Sequence, residues 1–102
     1  MQKVNYIGSN RLTDNELQLF NFLFGLLYYS DPDYTIRICK KEDEIIAHIQ
    51  SSKQEYRQDI INNLLFINKH LGVKVKFSSS LAISKLISFT INLENKKIEL
   101  PL

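Results

Sequence analysis

The chain has 102 residues, of which 44% are hydrophobic and 24% are charged, a composition typical of one folded domain rather than of a disordered segment. Its formal net charge of +2 is too small to indicate a nucleic-acid partner, and its single cysteine excludes an internal disulfide. We therefore expect one domain over residues 1–102 in the reducing environment of the cytoplasm.

The longest apolar run covers residues 19–29 and is interrupted by Asn21 and Gly25. It is shorter than the roughly 20 residues that a membrane span needs, and it begins too late for a signal peptide. We expect no membrane partner. The basic residues are concentrated near the other end of the chain, where five lysines after residue 72 oppose Glu94 and Glu99.

The first elements are a short extended piece over Lys3–Ile7 and a helix from Asp14 to about Tyr29. Thr13 and Glu16 have the spacing of a capping box, which marks the start of that helix. Its apolar residues run nearly all the way round, so it must be covered on most sides. We expect a homodimer through this first helix, and the alternative is a central core helix without a dimer. The interface residues would be Phe20, Phe24, Leu27 and Tyr28.

A short strand is predicted next, over Tyr34–Cys39. Pro32 ends the helix before it, because proline disfavours the helical conformation of the preceding residue. The strand segment alternates and is rich in β-branched residues, with Ile36 and Ile38 on one face. A lone cysteine such as Cys39 is more often a small packing residue than a reactive thiol.

Lys41–Gln50 is interpreted as a second helix with three acidic residues in its first turn, where they complement the helix dipole. Adjacent residues of a helix point in different directions, so these acids do not indicate a metal site. His48 is interpreted as a boundary residue, because no other ligand-type residue has a metal-binding spacing to it.

A third helix is predicted over Gln54–Leu71, with Gly72 as its left-handed C-cap. The two helices and the polar corner between them, Gln50–Lys53, have the outline of a helix-turn-helix. The third helix carries one buried stripe and an amide-rich outer side that includes Gln58 and Asn62. The stripe consists of Tyr56, Ile60, Leu64, Ile67 and Leu71.

From Val73 onward the hydrophobic period changes to two, which predicts strands with one buried face. The same parity continues to Leu93, and a turn at Glu94–Lys96 closes a predicted hairpin over residues 89–100. Residues 80–86 are predicted as strand, with a single helical turn as the alternative.

This order of elements predicts an α+β winged helix: three helices with a small antiparallel sheet and a C-terminal β-hairpin wing. The segments LTDNELQLFNFLFGLL, YTIRI, QEYRQDIINNLLFINKHLGVKV and SKLISFTINLENKKIELPL resemble the winged-helix modules of plasmid replication initiator proteins. The resemblance covers about residues 11–102. It implies binding of double-stranded DNA at a replication origin, dimerisation through the N-terminal module and no catalytic activity.

If DNA is bound, the residues expected to contact it lie at the start of the third helix and on the wing. Amide side chains can read base edges, whereas lysines contact phosphate without reading sequence. Each of these residues is otherwise a solvated surface residue. The predicted DNA-binding residues are Lys53, Arg57, Gln58, Asn62, Lys96 and Lys97.

The alternative function is a small α+β protein-interaction module, a dimerising adaptor or inhibitor that binds no nucleic acid. It requires an exposed apolar patch on residues 19–29, whereas the DNA hypothesis requires a contiguous basic surface. Cys39, His48 and His70 lie on elements with no evident shared cleft, and the chain has no glycine-rich phosphate loop. We therefore predict no catalytic residues, no metal, no cofactor and no small-molecule substrate.

Overall fold

The computed structural model describes residues 4–25, 33–78 and 86–94. Within these ranges the chain forms two helices and five strands, and the strands belong to one sheet. In chain order the elements are β1 (Val4–Tyr6), α1 (Asp14–Phe24), β2 (Thr35–Lys41), β3 (Glu44–Gln50), α2 (Gln54–Leu71), β4 (Lys74–Phe77) and β5 (Leu86–Asn92).

The strand order across the sheet is β1-β2-β3-β5-β4. β1 and β2 are parallel and are connected through α1, while every other neighbouring pair is antiparallel. β3 and β4 point in the same direction because each is antiparallel to β5, which lies between them. α2 therefore also connects two strands of the same direction, as expected for a long crossover connection.

Both helices pack on one face of the sheet, where alternate strand residues are apolar. Ile38, Ala47 and Phe89 are all fully buried at the centre of this face. The Phe20 ring of α1 stacks on Phe89 with 6.4 Å between ring centroids. The remaining fully buried core side chains include Leu19, Leu23, Phe24, Ile36, Ile45, Ile49, Ile60, Leu64, Ile67 and Ile91.

The predicted capping box at the start of α1 is confirmed. The Glu16 backbone N–H donates to Thr13 Oγ1 at 3.3 Å, and the Thr13 backbone N–H donates to Glu16 Oε1 at 2.7 Å. Glu16 Oε1 also accepts from Lys40 Nζ of β2 at 2.6 Å, and both side chains are largely buried. This ion pair fixes the first turn of α1 to the sheet.

The helix predicted for Lys41–Gln50 is wrong. Lys41 is the last residue of β2, Glu42 and Asp43 form a hairpin turn, and Glu44–Gln50 is strand β3. Glu42 has a φ of 50°, a value that hairpin turns need and helices do not have. The acidic residues interpreted as a first helical turn therefore lie in and beside a two-residue loop.

The winged-helix prediction is wrong for the same reason. The described ranges hold two helices rather than three, and the sheet is mixed and five-stranded rather than small and antiparallel. The broader α+β class fits only in part, because β1, α1 and β2 form a parallel unit. The predicted wing over residues 89–100 begins in β5, and its second strand lies outside the described residues.

Other predictions from the sequence are confirmed. α2 has the predicted bounds, and Gly72 is its left-handed C-cap with a φ of 68°. Ile60, Leu64 and Ile67 are the buried centre of its predicted stripe. The exposed side chains of β4 are its lysines, as the period of two predicted. The alternative for residues 80–86 lies outside the described residues, except for Leu86 in β5.

Candidate interaction surface

The sheet face opposite the helices carries the side chains that do not enter the core, and we name it the open face. None of the described helices packs on it, and Thr35, Arg37 and Gln50 on this face are exposed. The open face consists of Asn5, Thr35, Arg37, Cys39, Lys41, Glu44, Ile46, His48, Gln50, Lys74, Lys76, Leu86, Ser88, Thr90 and Asn92.

Strand register brings residues from distant parts of the sequence into rows across this face. Arg37 pairs directly with His48, and His48 pairs with Ser88. The neighbouring row joins Thr35 to Gln50, and Gln50 pairs with Leu86. Side chains that are directly opposite on antiparallel strands start about 5 Å apart, so each row places its side chains within reach of one small ligand group.

These two rows enclose a shallow depression of about 340 Å³ on the open face, which we name the sheet depression. Its polar residues come from β2 and β3, and its aliphatic residues come from the end of β1 and the start of β5. The lining residues are Ile7, Thr35, Arg37, His48, Gln50 and Leu86. An open concavity with a few convergent polar groups is suited to binding rather than to enclosing a buried substrate.

The histidine of the sheet depression is held by a serine. His48 Nδ1 lies 2.7 Å from Ser88 Oγ, and Ser88 is 4% exposed. A serine hydroxyl beside an imidazole resembles a nucleophile and its base, but a third group must orient the imidazole in such a site. The described carboxylate of the open face is Glu44, which pairs with Lys41 two rows away. The bond therefore orients His48, and the described residues place no carboxylate beside it as a third group.

Among the described residues, the side chains of the open face carry an excess of positive charge. Four cations, Arg37, Lys41, Lys74 and Lys76, are present there with one carboxylate, Glu44, which leaves three positive charges in excess. Lys74 additionally forms an ion pair with Glu94 at the rim.

The helical layer differs, because its charges balance. The exposed and half-buried acids Asp14, Glu55 and Asp59 oppose Lys53, Arg57 and Lys69. The remaining acid of α1, Glu16, is neutralised by Lys40. The described excess of cations over acids is therefore found on the open face and not on the helices.

Four of the predicted DNA-binding residues are described, and all four lie at the start or in the first half of α2. Lys53 is the exposed N-cap residue of α2, whereas Arg57 is half-buried and its Nη1 donates to the Ser51 carbonyl at 2.7 Å. Gln58 and Asn62 are exposed and bond to each other, with Gln58 Nε2 donating to Asn62 Oδ1 at 3.0 Å. The structure thus brings the two amides together. Lys96 and Lys97 lie outside the described residues.

The predicted dimer residues are divided between the core and the part of the chain that is not described. Phe20 and Phe24 are 0% and 1% exposed in a single chain, with 5.3 Å between their ring centroids. Leu27 and Tyr28 lie outside the described residues. Dimerisation through the first helix stays a prediction, and the two described side chains already have partners within the core.

A second concavity lies between the end of α1 and the first half of α2. It has a volume of about 160 Å³ and is lined by residues that include Phe22, Leu23, Tyr56 and Asn63. Asn63 Nδ2 donates to the Leu23 carbonyl at 3.3 Å, so this amide connects the last turn of α1 to α2. The groove is therefore explained by the packing of the two helices.

Other chemistry is limited within the described ranges. They contain no group of three His, Cys, Asp or Glu side chains that could hold a metal ion. Their helices are too short or too polar to cross a membrane. Burial raises the pKa of the Tyr34 phenol above its ordinary value of 10.0. Tyr34 belongs to the core, so this shift reports packing rather than catalysis.

Half of the sheet depression could have been found in the sequence. The alternation of Tyr34–Cys39 places Thr35 and Arg37 on the face that excludes Ile36 and Ile38. His48 and Gln50 were missed because their segment was interpreted as a helix. The signal that would have found them is the alternation of Ile45, Ala47 and Ile49, which leaves the even-numbered residues on the other face.

Comparison with known proteins gives no family assignment. No protein-family model matches the chain, and no curated protein is significantly similar to it. The resemblance to plasmid replication initiators accordingly stays a prediction from the sequence, and the fold that it implied is not the fold observed.

Proposed function

We propose that this chain is a non-enzymatic protein-interaction module that binds its partner through the open face of the sheet. The observation that carries the proposal is the sheet depression. It lies on the face away from the core, combines aliphatic and hydrogen-bonding side chains, and has exposed residues at its rim. Two helices already close the core, so the depression is not needed for folding.

The make-up of the open face favours a protein as the partner. Ile46 and Leu86 are half-buried and lie among hydrogen-bonding residues such as Gln50 and Thr90. Mixed aliphatic and amide surfaces are typical of protein contacts, which are about as apolar as the rest of a protein surface and have polar rims. Strands expose their side chains at fixed spacing, so an extended partner segment can contact successive side chains of one row.

The support for double-stranded DNA as the partner is weaker. A helix-turn-helix places its second helix in the major groove with the first helix crossing the backbone. In this chain the segment predicted as the first of these helices is strand β3. Arg57, on the segment predicted as the second helix, donates to the Ser51 carbonyl. A DNA-binding role accordingly rests on the resemblance and on lysines that the described residues do not include.

Site-specific photo-crosslinking in the source cells tests the proposal. A photoreactive residue at Thr35, on the open face, is expected to give a discrete adduct that protease removes and nuclease does not. The matched control places the same residue at Asn62, which is exposed on α2. The proposal requires that the variant with the photoreactive residue at Asn62 does not give the adduct seen with the residue at Thr35.

The second arm of this experiment uses labelled duplex DNA at two salt concentrations. A protein-interaction module is expected to show no saturable binding at physiological salt. Adducts that nuclease removes, or equal adducts from Thr35 and Asn62, would overturn the proposal. Saturable duplex binding by the isolated chain would favour the DNA alternative.

A further inference from the structure

We infer that the partner's contact segment is an acidic peptide, and that one of its carboxylates binds in the sheet depression between Arg37 and His48. This inference rests on the proposed function and names the chemistry of the partner. It is carried by the charge of the open face and by the register that places these two residues side by side.

Arg37 and His48 together can recognise one carboxylate. A guanidinium presents its N–H groups in a planar fork that matches both oxygens of a carboxylate. Arg37 is exposed and lies directly across the β2–β3 pair from His48. The imidazole is fixed through its Nδ1 by Ser88, so its position does not have to be ordered when a ligand binds.

Neutral hydrogen-bonding side chains lie beside Arg37 and His48 in the sheet depression. Thr35 and Gln50 pair with each other in the neighbouring row and line the same depression. Their hydroxyl and amide groups can donate to a second carboxylate oxygen or to the peptide backbone. One carboxylate therefore has a charged partner and additional neutral donors within one small area.

The described residues of the open face supply little acid that could compete for Arg37. Glu44 is the described carboxylate of the open face, and it lies across from Lys41. Lys41 is four residues along β2 from Arg37, which corresponds to about 13 Å of extended chain. Glu44 is thus too far along the strands to neutralise Arg37.

The apolar residues of the open face suit an acidic peptide better than a single-stranded nucleic acid. Sheets that bind single strands stack bases on aromatic side chains. The part of the open face that the structure describes carries no Phe, Tyr or Trp. The apolar residues that line the depression are aliphatic, Ile7 and Leu86, and these suit aliphatic side chains of a peptide.

The test measures binding of the whole chain to a labelled peptide in which glutamate and leucine are mixed with serine. The control peptide has glutamine in place of every glutamate. We expect the acidic peptide to bind at least tenfold more tightly than the control, with an affinity that falls as salt is raised. A single-stranded oligonucleotide of similar charge is the third probe and is expected to bind more weakly than the acidic peptide.

Variants locate the binding to the sheet depression. Arg37→Gln is expected to weaken acidic-peptide binding about tenfold, the effect of losing one charge-assisted pair. Thr35→Glu, which adds a carboxylate to the depression, is expected to weaken it at least as much. The matched control is Lys69→Gln, which removes one exposed cation from α2 and is expected to leave the affinity within about twofold.

The outcomes separate this inference from the proposed function. No acidic-peptide binding, equal binding of both peptides, equal losses in Arg37→Gln and Lys69→Gln, or tighter binding of the oligonucleotide would each overturn the inference. The protease-sensitive adduct at Thr35 would still stand in those cases, and the proposed function with it. Unchanged melting temperatures of the three variants show that any loss of binding is not a loss of folding.

Discussion

The two faces of the sheet are made by the same strands, but charged side chains are buried and paired on one face and exposed on the other. On the covered face, Glu16 and Lys40 form an ion pair of 2.6 Å, and Glu16 also takes part in the capping box of α1. On the open face, Arg37, Lys41 and Lys76 are exposed cations. The covered face therefore uses charge to fix a helix, whereas the open face keeps charge available to a partner.

The largest expected effect comes from neighbouring residues on opposite faces of β5. Phe89 is fully buried against Phe20, while Thr90 is half-buried on the open face. Phe89→Ala is expected to lower the free energy of unfolding by about 3–5 kcal/mol, because it leaves a cavity. Thr90→Ala is expected to change it by less than about 1 kcal/mol. Chemical denaturation measures both values.

Phe89→Leu provides a folded variant if Phe89→Ala does not fold, with an expected loss of about 1–2 kcal/mol. Similar losses for Phe89→Leu and Thr90→Ala would mean that both faces are packed, and the open face would not be a binding surface.

The second largest expected effect is the loss of the largely buried ion pair, which we compare with the loss of an exposed one. Glu16→Gln is expected to lower the free energy of unfolding by about 2–3 kcal/mol, because the largely buried Lys40 loses its counter-charge. Glu94→Gln breaks the exposed pair with Lys74 and is expected to cost less than about 0.5 kcal/mol. Urea denaturation at neutral pH compares the two variants, and a larger loss for Glu94→Gln would contradict the contrast between the faces.

A smaller effect concerns the turn that sets the register between β2 and β3. Glu42 has a φ of 50°, which an L-residue adopts at a cost and glycine adopts freely. Glu42→Gly is expected to raise the free energy of unfolding by about 0.5 kcal/mol. Glu42→Ala is the control, since it removes the same side chain without relieving the backbone. An equal gain in both variants would assign the effect to the carboxylate instead.

The smallest effect is a pH dependence on the covered face. Burial raises the pKa of Tyr34 above 10.0, so the folded chain holds this phenol proton more tightly than the unfolded chain does. The stabilisation is complete below pH 10 and is lost as the pH rises through the folded-state pKa. Thermal melts from pH 8 to about 11 in the original chain and in Tyr34→Phe measure it, and the Phe variant is expected to lose less stability over that range.

The sequence predicted those parts of the fold that local chemistry determines. The capping box at Thr13 and Glu16, the bounds of α2 and the left-handed Gly72 follow from short-range patterns. β3 was missed because its pattern of apolar residues fits both the helical period and the strand period. Adjacent isoleucines at 45 and 46, with Ile49 one turn later, are compatible with a helical edge. The alternation that makes them a strand depends on Ala47, whose small side chain is a weak signal.

Pairing with β2 and β5 decides between these two interpretations, and it is a long-range interaction that local propensity does not contain. The candidate site depends on the same pairing. Arg37 and His48 become neighbours only through the β2–β3 register, and Leu86 joins them only through β5. Their chemistry was visible in the sequence, but their proximity was not.

The position of β5 between β3 and β4 has a consequence for synthesis of the chain. The strand that joins the two halves of the sheet is the last one described, and it supplies Ile87, Phe89 and Ile91 to the core. Until residue 92 has left the ribosome, β3 and β4 lack the strand that both of them pair with, and isoleucines from the earlier strands stay uncovered. Completion of the sheet therefore waits until β5 has left the ribosome, and before then the uncovered apolar residues of the nascent chain are prone to aggregation.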